Sequence, residues 1–122
     1  MGKPMMPTMP TPESKLLGLK IIQLLQVGHN NAITAGILAR SLGESNDRRI
    51  RLAIEQLQHD GVAIASSVSP PMGYYMPENK EEAEAYAKSL KDRARMIFIR
   101  RRNFRRAAGL SEPKIGQMAL GI

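Results

Sequence analysis

Arg48, Arg49 and Arg51 place three guanidinium groups within four residues. Each can fork onto the O6 and N7 edge of a guanine with two hydrogen bonds, so at the start of a helix the trio is a usable reader of base pairs. The competing use is pairing with Asp47 and Glu55 on a solvated helix face. A second basic group, Arg100, Arg101, Arg102, Arg105 and Arg106, ends a stretch from Lys88 that holds nine Lys or Arg and one acid, Asp92. Bases this dense release counterions when they meet phosphates together, or else coat a solvated helix.

Catalytic chemistry is harder to assemble. His29 and His59 stand far apart, with no nucleophile or metal-ligand spacing around either, and are expected to be surface or turn residues. The absence of Cys removes disulfides, thiolate zinc sites and thiol catalysis. Glu81, Glu82 and Glu84 share one helix turn without a second carboxylate cluster, which suits a helix N-terminus better than general acid and base work. The expectation is a protein that is not an enzyme, with no cofactor and no metal.

The 122 residues carry 18 Lys and Arg against 11 Asp and Glu, a formal charge of +7. That length allows one small domain with tails, and the charge favours a polyanionic partner. Residues 80 to 122 hold 11 bases and 5 acids, so most of the excess lies there. No apolar run approaches a membrane span, and Pro interrupts the start where a signal peptide needs a continuous apolar stretch. A cytoplasmic protein away from any membrane is expected.

The elements that must position the arginines follow from periodicity. Residues 1 to 13, rich in Pro and Met, read as a disordered arm. Ser14 can cap a first helix with Leu17, Ile21, Leu24 and Leu25 on one face, ending at Gly28. The segment His29 to Asn31 is turn chemistry, and Thr34 caps a short second helix that ends at Gly43 with Leu38, Ala39 and Leu42 inward. Glu44, Ser45 and Asn46 form a tight turn in which Asn46 caps a third helix running to about Asp60, its core strip being Ile50, Ala53, Ile54 and Leu57. A hairpin follows, with strands Val62 to Ser66 and Gly73 to Met76 around an uncharged tip. Asn79 and Glu82 then form a capping box for one helix from Lys80 to Ala108, in which Ala83, Leu90, Ile97 and Phe104 recur every seven residues. Its first half is expected to cover the core and its second to overhang it. Residues 109 to 122 read as a flexible tail. The fold class is therefore mainly α with a small β-hairpin, residues 14 to 78 forming the domain and 79 to 108 a long basic C-terminal helix.

Helix, helix, tight turn, helix and hairpin, carried by Ala32-Ile33-Thr34, Ile37 to Gly43, Ile50 with Ile54 and Leu57, Gly61 to Ile64 and Gly73 to Met76, resemble a winged helix-turn-helix of the biotin-repressor type. The run from Gly73 through Glu82 into Ser89-Leu90-Lys91-Asp92-Arg93-Ala94 is similar to phage and prophage proteins of this kind. The resemblance implies that the third helix enters the major groove of DNA, so Arg48, Arg49 and Arg51 would meet bases while Thr34, Ser45 and Tyr75 contact phosphate. The hairpin tip from Ser66 to Gly73 lacks the usual Lys or Arg. Phosphate contacts from Arg100, Arg101, Arg102, Arg105 and Arg106 are expected to supply that charge.

The last six residues, with Gln117, Met118, Leu120 and Ile122, resemble the bacterial sliding-clamp-binding hexapeptide. The expected function is non-catalytic binding of double-stranded DNA in phage or prophage replication or transcription regulation, with a homodimer and a sliding clamp or other replication protein as further partners. The alternative is a protein-interaction module, a replication accessory or host-takeover factor that uses the basic helix and the tail.

Overall fold

The computed structural model describes residues 11–67 and 69–110. The chain is mainly helical with one small hairpin, in the order α1 (Pro12–Leu24), a single 3-10 turn (His29–Asn31), α2 (Ala35–Ser41), α3 (Arg48–His59), β1 (Ala65–Ser67), β2 (Gly73–Tyr75) and α4 (Lys80–Ala107). It divides into two compact units, Met1–Ala83 and Glu84–Ile122.

In the first unit, side chains three and four residues apart on each helix meet at one centre. Leu17, Ile21 and Leu25 from α1 and its cap, Leu38 and Ala39 from α2, and Ile50 and Ile54 from α3 form the core with Ile64. Ile21, Leu38, Ile50 and Ile54 are almost wholly buried, each contributing about 1.5 to 3 kcal/mol of apolar burial. At the α1–α3 crossing Gly18 lets Leu57 approach, a β-carbon there lying 3.3 Å from its side chain.

α1 opens earlier than the sequence suggested. Thr11, not Ser14, is the cap: its hydroxyl oxygen accepts the Ser14 N–H at 3.1 Å, and Pro12 occupies the first turn, where a missing N–H costs nothing. Residues 12 and 13 thus belong to the helix rather than to an arm, while residues 1 to 10 lie outside the described residues. The helix ends at Leu24, four residues before Gly28.

The hairpin pairs Ala65 with Tyr75, Ser66 with Tyr74 and Ser67 with Gly73. The paired part of the first strand lies further along than Val62 to Ser66. Tyr74 also exchanges two backbone hydrogen bonds with Ile33, at 2.9 and 2.7 Å, so the segment before α2 lies along the hairpin's free edge. This closeness requires Gly73, whose φ of +129 and contact with the Ile33 carbonyl leave no room for a β-carbon.

α4 is continuous from Lys80, with Asn79 Oδ1 accepting the Glu82 N–H at 2.9 Å as its cap. The core of the first unit draws its buried residues from α1 and its cap, α2, α3 and Ile64, and no residue of α4 is buried.

Candidate nucleic-acid interface

Ile50 and Ile54 lock one face of α3 inward, and a rotation of about 100° per residue turns Arg48, Arg49 and Arg51 outward. All three are exposed. The turn before them sets the entry of the helix: Asn46 Oδ1 accepts the Arg48 N–H at 3.0 Å, although Asp47 occupies the cap position and makes no side-chain cap bond. Arg49 pairs with Glu44 at 3.2 Å and Arg51 with Asp47 at 2.9 Å. The expected pairing with Asp47 is thus present, while Glu44 takes the place of Glu55. The hydrogen bond from Arg51 holds the Asp47 carboxyl below its ordinary range, and Asp47, with the Tyr74 phenol nearby, raises the Arg51 guanidinium. The Arg51 pair faces solvent and Arg49 is itself exposed over a half-buried Glu44; such surface contacts contribute little, so phosphate or guanine oxygens can replace the carboxylates. Arg48 makes no ion pair among the described residues.

Thr34 and Ser45, expected phosphate contacts, are exposed. Thr34 caps α2 by accepting the Ile37 N–H at 3.2 Å, which leaves its hydroxyl proton to donate outward. Tyr75 is corrected. It is only 7% exposed, with its ring packed beside His29 at 5.3 Å between centroids, so it is covered there and is withdrawn from the phosphate contacts. Strand alternation sends Tyr74 to the other face, where it packs against the core with Arg51 near its phenol.

His29 lies in the 3-10 turn, as expected of a turn residue, and also makes contacts distant in sequence. Its Nε2 lies 2.6 Å from Ser67 Oγ and 3.3 Å from the Ser69 carbonyl. Ser67 donates its own hydroxyl proton to that carbonyl at 2.6 Å and accepts the Ser69 N–H at 3.1 Å. The Ser67 hydroxyl is thus held among the His29 ring, the Ser69 carbonyl and the Ser69 N–H. The pair is a clasp on the hairpin tip. The His29 backbone N–H donates to Glu82 Oε2 at 3.2 Å, while Glu82 Oε1 accepts the Glu78 N–H at 2.9 Å. These two bonds, Glu78's the stronger influence, hold the Glu82 carboxyl below its ordinary value. Sequence spacing marked Glu82 as a capping residue; its bond to His29 has no local signature.

In the second unit, Arg100, Arg101 and Arg106 are exposed and Arg102 and Arg105 half-buried. Lys88 pairs with Asp92 at 2.9 Å, leaving the turns after Asp92 purely basic. Gln117, Met118, Leu120 and Ile122 lie outside the described residues.

Among the described residues no group of three or more His, Asp or Glu gathers to hold a metal ion, and no helix is long and apolar enough to cross a membrane. Comparison with models of known families, with curated proteins and with solved structures returns no match.

Proposed function

We propose that the chain is a non-catalytic, double-stranded DNA-binding protein of winged helix-turn-helix type, acting in phage or prophage replication or transcription regulation. The observation that carries this reading is the exposure of Arg48, Arg49 and Arg51 around the start of α3, off the face that buries Ile50 and Ile54. A helix held by its apolar face and presenting forked donors near its start suits the major groove, with Thr34 and Ser45 positioning the backbone. The arginines of α4 add sequence-independent affinity for phosphate.

Selection of duplexes from a random pool tests it, followed by titration of the selected duplex with the parent and with Arg48→Ala/Arg51→Ala. The parent is expected to prefer the selected over a random duplex, and the double variant to lose roughly ten- to hundredfold of that preference while keeping its fold. Equal binding of both duplexes by the parent overturns the reading. The alternative, an interaction module, is favoured by the apolar side chains that α4 exposes.

A further inference from the structure

Leu52 is 40% exposed on α3, whose inward face is already filled by Ile50 and Ile54. At about 100° per residue, Leu52 stands one turn beyond Arg48 on the side turned away from those isoleucines, with Glu55 a further turn along the same line. All three are exposed. Arg49 is one residue from Arg48 and Arg51 one residue from Leu52, so each lies about 100° off that line, on opposite flanks. The flanking arginines are paired with Glu44 and Asp47, whereas Arg48 and Glu55 make no ion pair among the described residues.

We propose that Leu52 reads the 5-methyl group of a thymine in the major groove, beside a guanine taken by Arg48. The proposal rests on the reading of α3 as the helix that enters DNA. Given that placement, the chemistry of the groove leaves Leu52 one partner. Base edges there present hydrogen-bond donors and acceptors, which a leucine strips of water without replacing the bond, and the thymine methyl is the apolar exception. Glu55 adds a constraint of its own: a carboxylate repels phosphates, so this line of α3 faces base edges rather than the backbone.

Helix rise gives the site a length. Four residues advance about 6 Å, close to two base-pair steps of about 3.4 Å, so the thymine lies within about two base pairs of the Arg48 guanine.

Replacing thymine by uracil tests it, because uracil keeps the pairing and the groove acceptor and removes the methyl alone. Each thymine of the selected duplex is replaced in turn by deoxyuridine, and the full chain is titrated with each duplex by fluorescence anisotropy. With the parent, one such replacement, within about two base pairs of a guanine, is expected to weaken binding about fourfold, the effect of burying one methyl group. Leu52→Ala and Leu52→Gln are expected to bind the unmodified duplex at least that much more weakly and to lose nothing further on the same replacement. Both substitutes are good helix formers outside the core, so helix content is expected to stay unchanged. Leu52→Met, which keeps an apolar side chain, and Arg48→Ala are expected to retain the dependence on the methyl. A parent that binds selected and random duplexes equally removes the DNA reading, and this proposal with it. A parent that prefers the selected duplex overturns the assignment of Leu52 alone if it is indifferent to every uracil replacement, or if Leu52→Ala still loses the same fourfold.

Discussion

The His29 imidazole and the Ser67 hydroxyl meet at 2.6 Å across 38 positions of sequence, joining the turn after α1 to the hairpin tip. With the Ser69 carbonyl also 2.6 Å from the same hydroxyl, the contact holds the hairpin tip in place.

Replacing His29 by Ala is therefore expected to loosen the tip without melting the core. The half-buried ring loses its bond to Ser67 and its packing on Tyr75, for about 1 to 2 kcal/mol. Hydrogen exchange should quicken at Ser69, while amides of α1 and α3 keep their relative protection. Uniform loss of protection would instead make His29 part of the cooperative core.

Gly73 and Gly36 form a contrasting pair. Gly73→Ala sets a β-carbon against the Ile33 backbone in a left-handed conformation, and neither partner can yield. A loss of at least about 2 kcal/mol is expected in denaturant unfolding. Gly36, inside α2, has only Thr34 Oγ1 at 3.9 Å from the added carbon. Gly36→Ala is expected to be neutral or to stabilise by up to about 1 kcal/mol through helix propensity. Equal effects at the two sites would contradict the close approach of Ile33 and β2.

Much of this architecture was legible because it is local. Thr34 as a cap, Ile50 and Ile54 as a core strip, and Asn79 with Glu82 at the start of α4 all follow from spacing within one or two turns. The hairpin's phase was not. Adjacent Tyr74 and Tyr75 must face opposite ways, but that Tyr74 packs on the core and Tyr75 beside His29 depends on a register set by Gly73 against Ile33, 40 residues away in sequence. The candidate site divides in the same manner: the exposure of Arg48, Arg49 and Arg51 follows from helix period, while the His29 clasp and the second bond of Glu82 need long-range packing. The heptad of α4 was visible as a pattern, yet a pattern does not say what covers it, and no residue of α4 is buried.

Glu82 gives a pH dependence whose sign can be worked out. Its carboxylate accepts two backbone N–H groups, from Glu78 and His29, so its folded pKa lies below the ordinary 4.5. A depressed folded value means that its stabilisation is complete above about pH 4.5 and is lost as pH falls through the lowered folded value. Glu82→Gln keeps one acceptor oxygen but sets an amide NH2 against the other donor. The variant is expected to melt below the parent near neutral pH, with the gap narrowing as both are acidified below pH 4.5. A gap that stays constant down to pH 2 would mean the carboxylate charge contributes nothing to folding.

The last expectation separates affinity from reading. Arginines that touch only phosphate contribute through counterion release, so each lost contact removes about 0.9 from the slope of log K against log salt. Arg100→Gln, Arg102→Gln and Arg106→Gln together remove three charges while retaining good helix formers, and none of the three belongs to the heptad of Ala83, Leu90, Ile97 and Phe104. If all three meet DNA, the slope should fall by about 2.7, and binding to selected and random duplexes should weaken by the same factor. Arg48→Ala is expected to behave in the opposite way, moving the ratio between the two duplexes more than the slope. Fluorescence anisotropy titrations between about 50 and 200 mM salt resolve both quantities in one experiment. An unchanged slope in the triple variant would assign the α4 arginines to solvent or to a protein surface, and leave α3 to bind DNA without them.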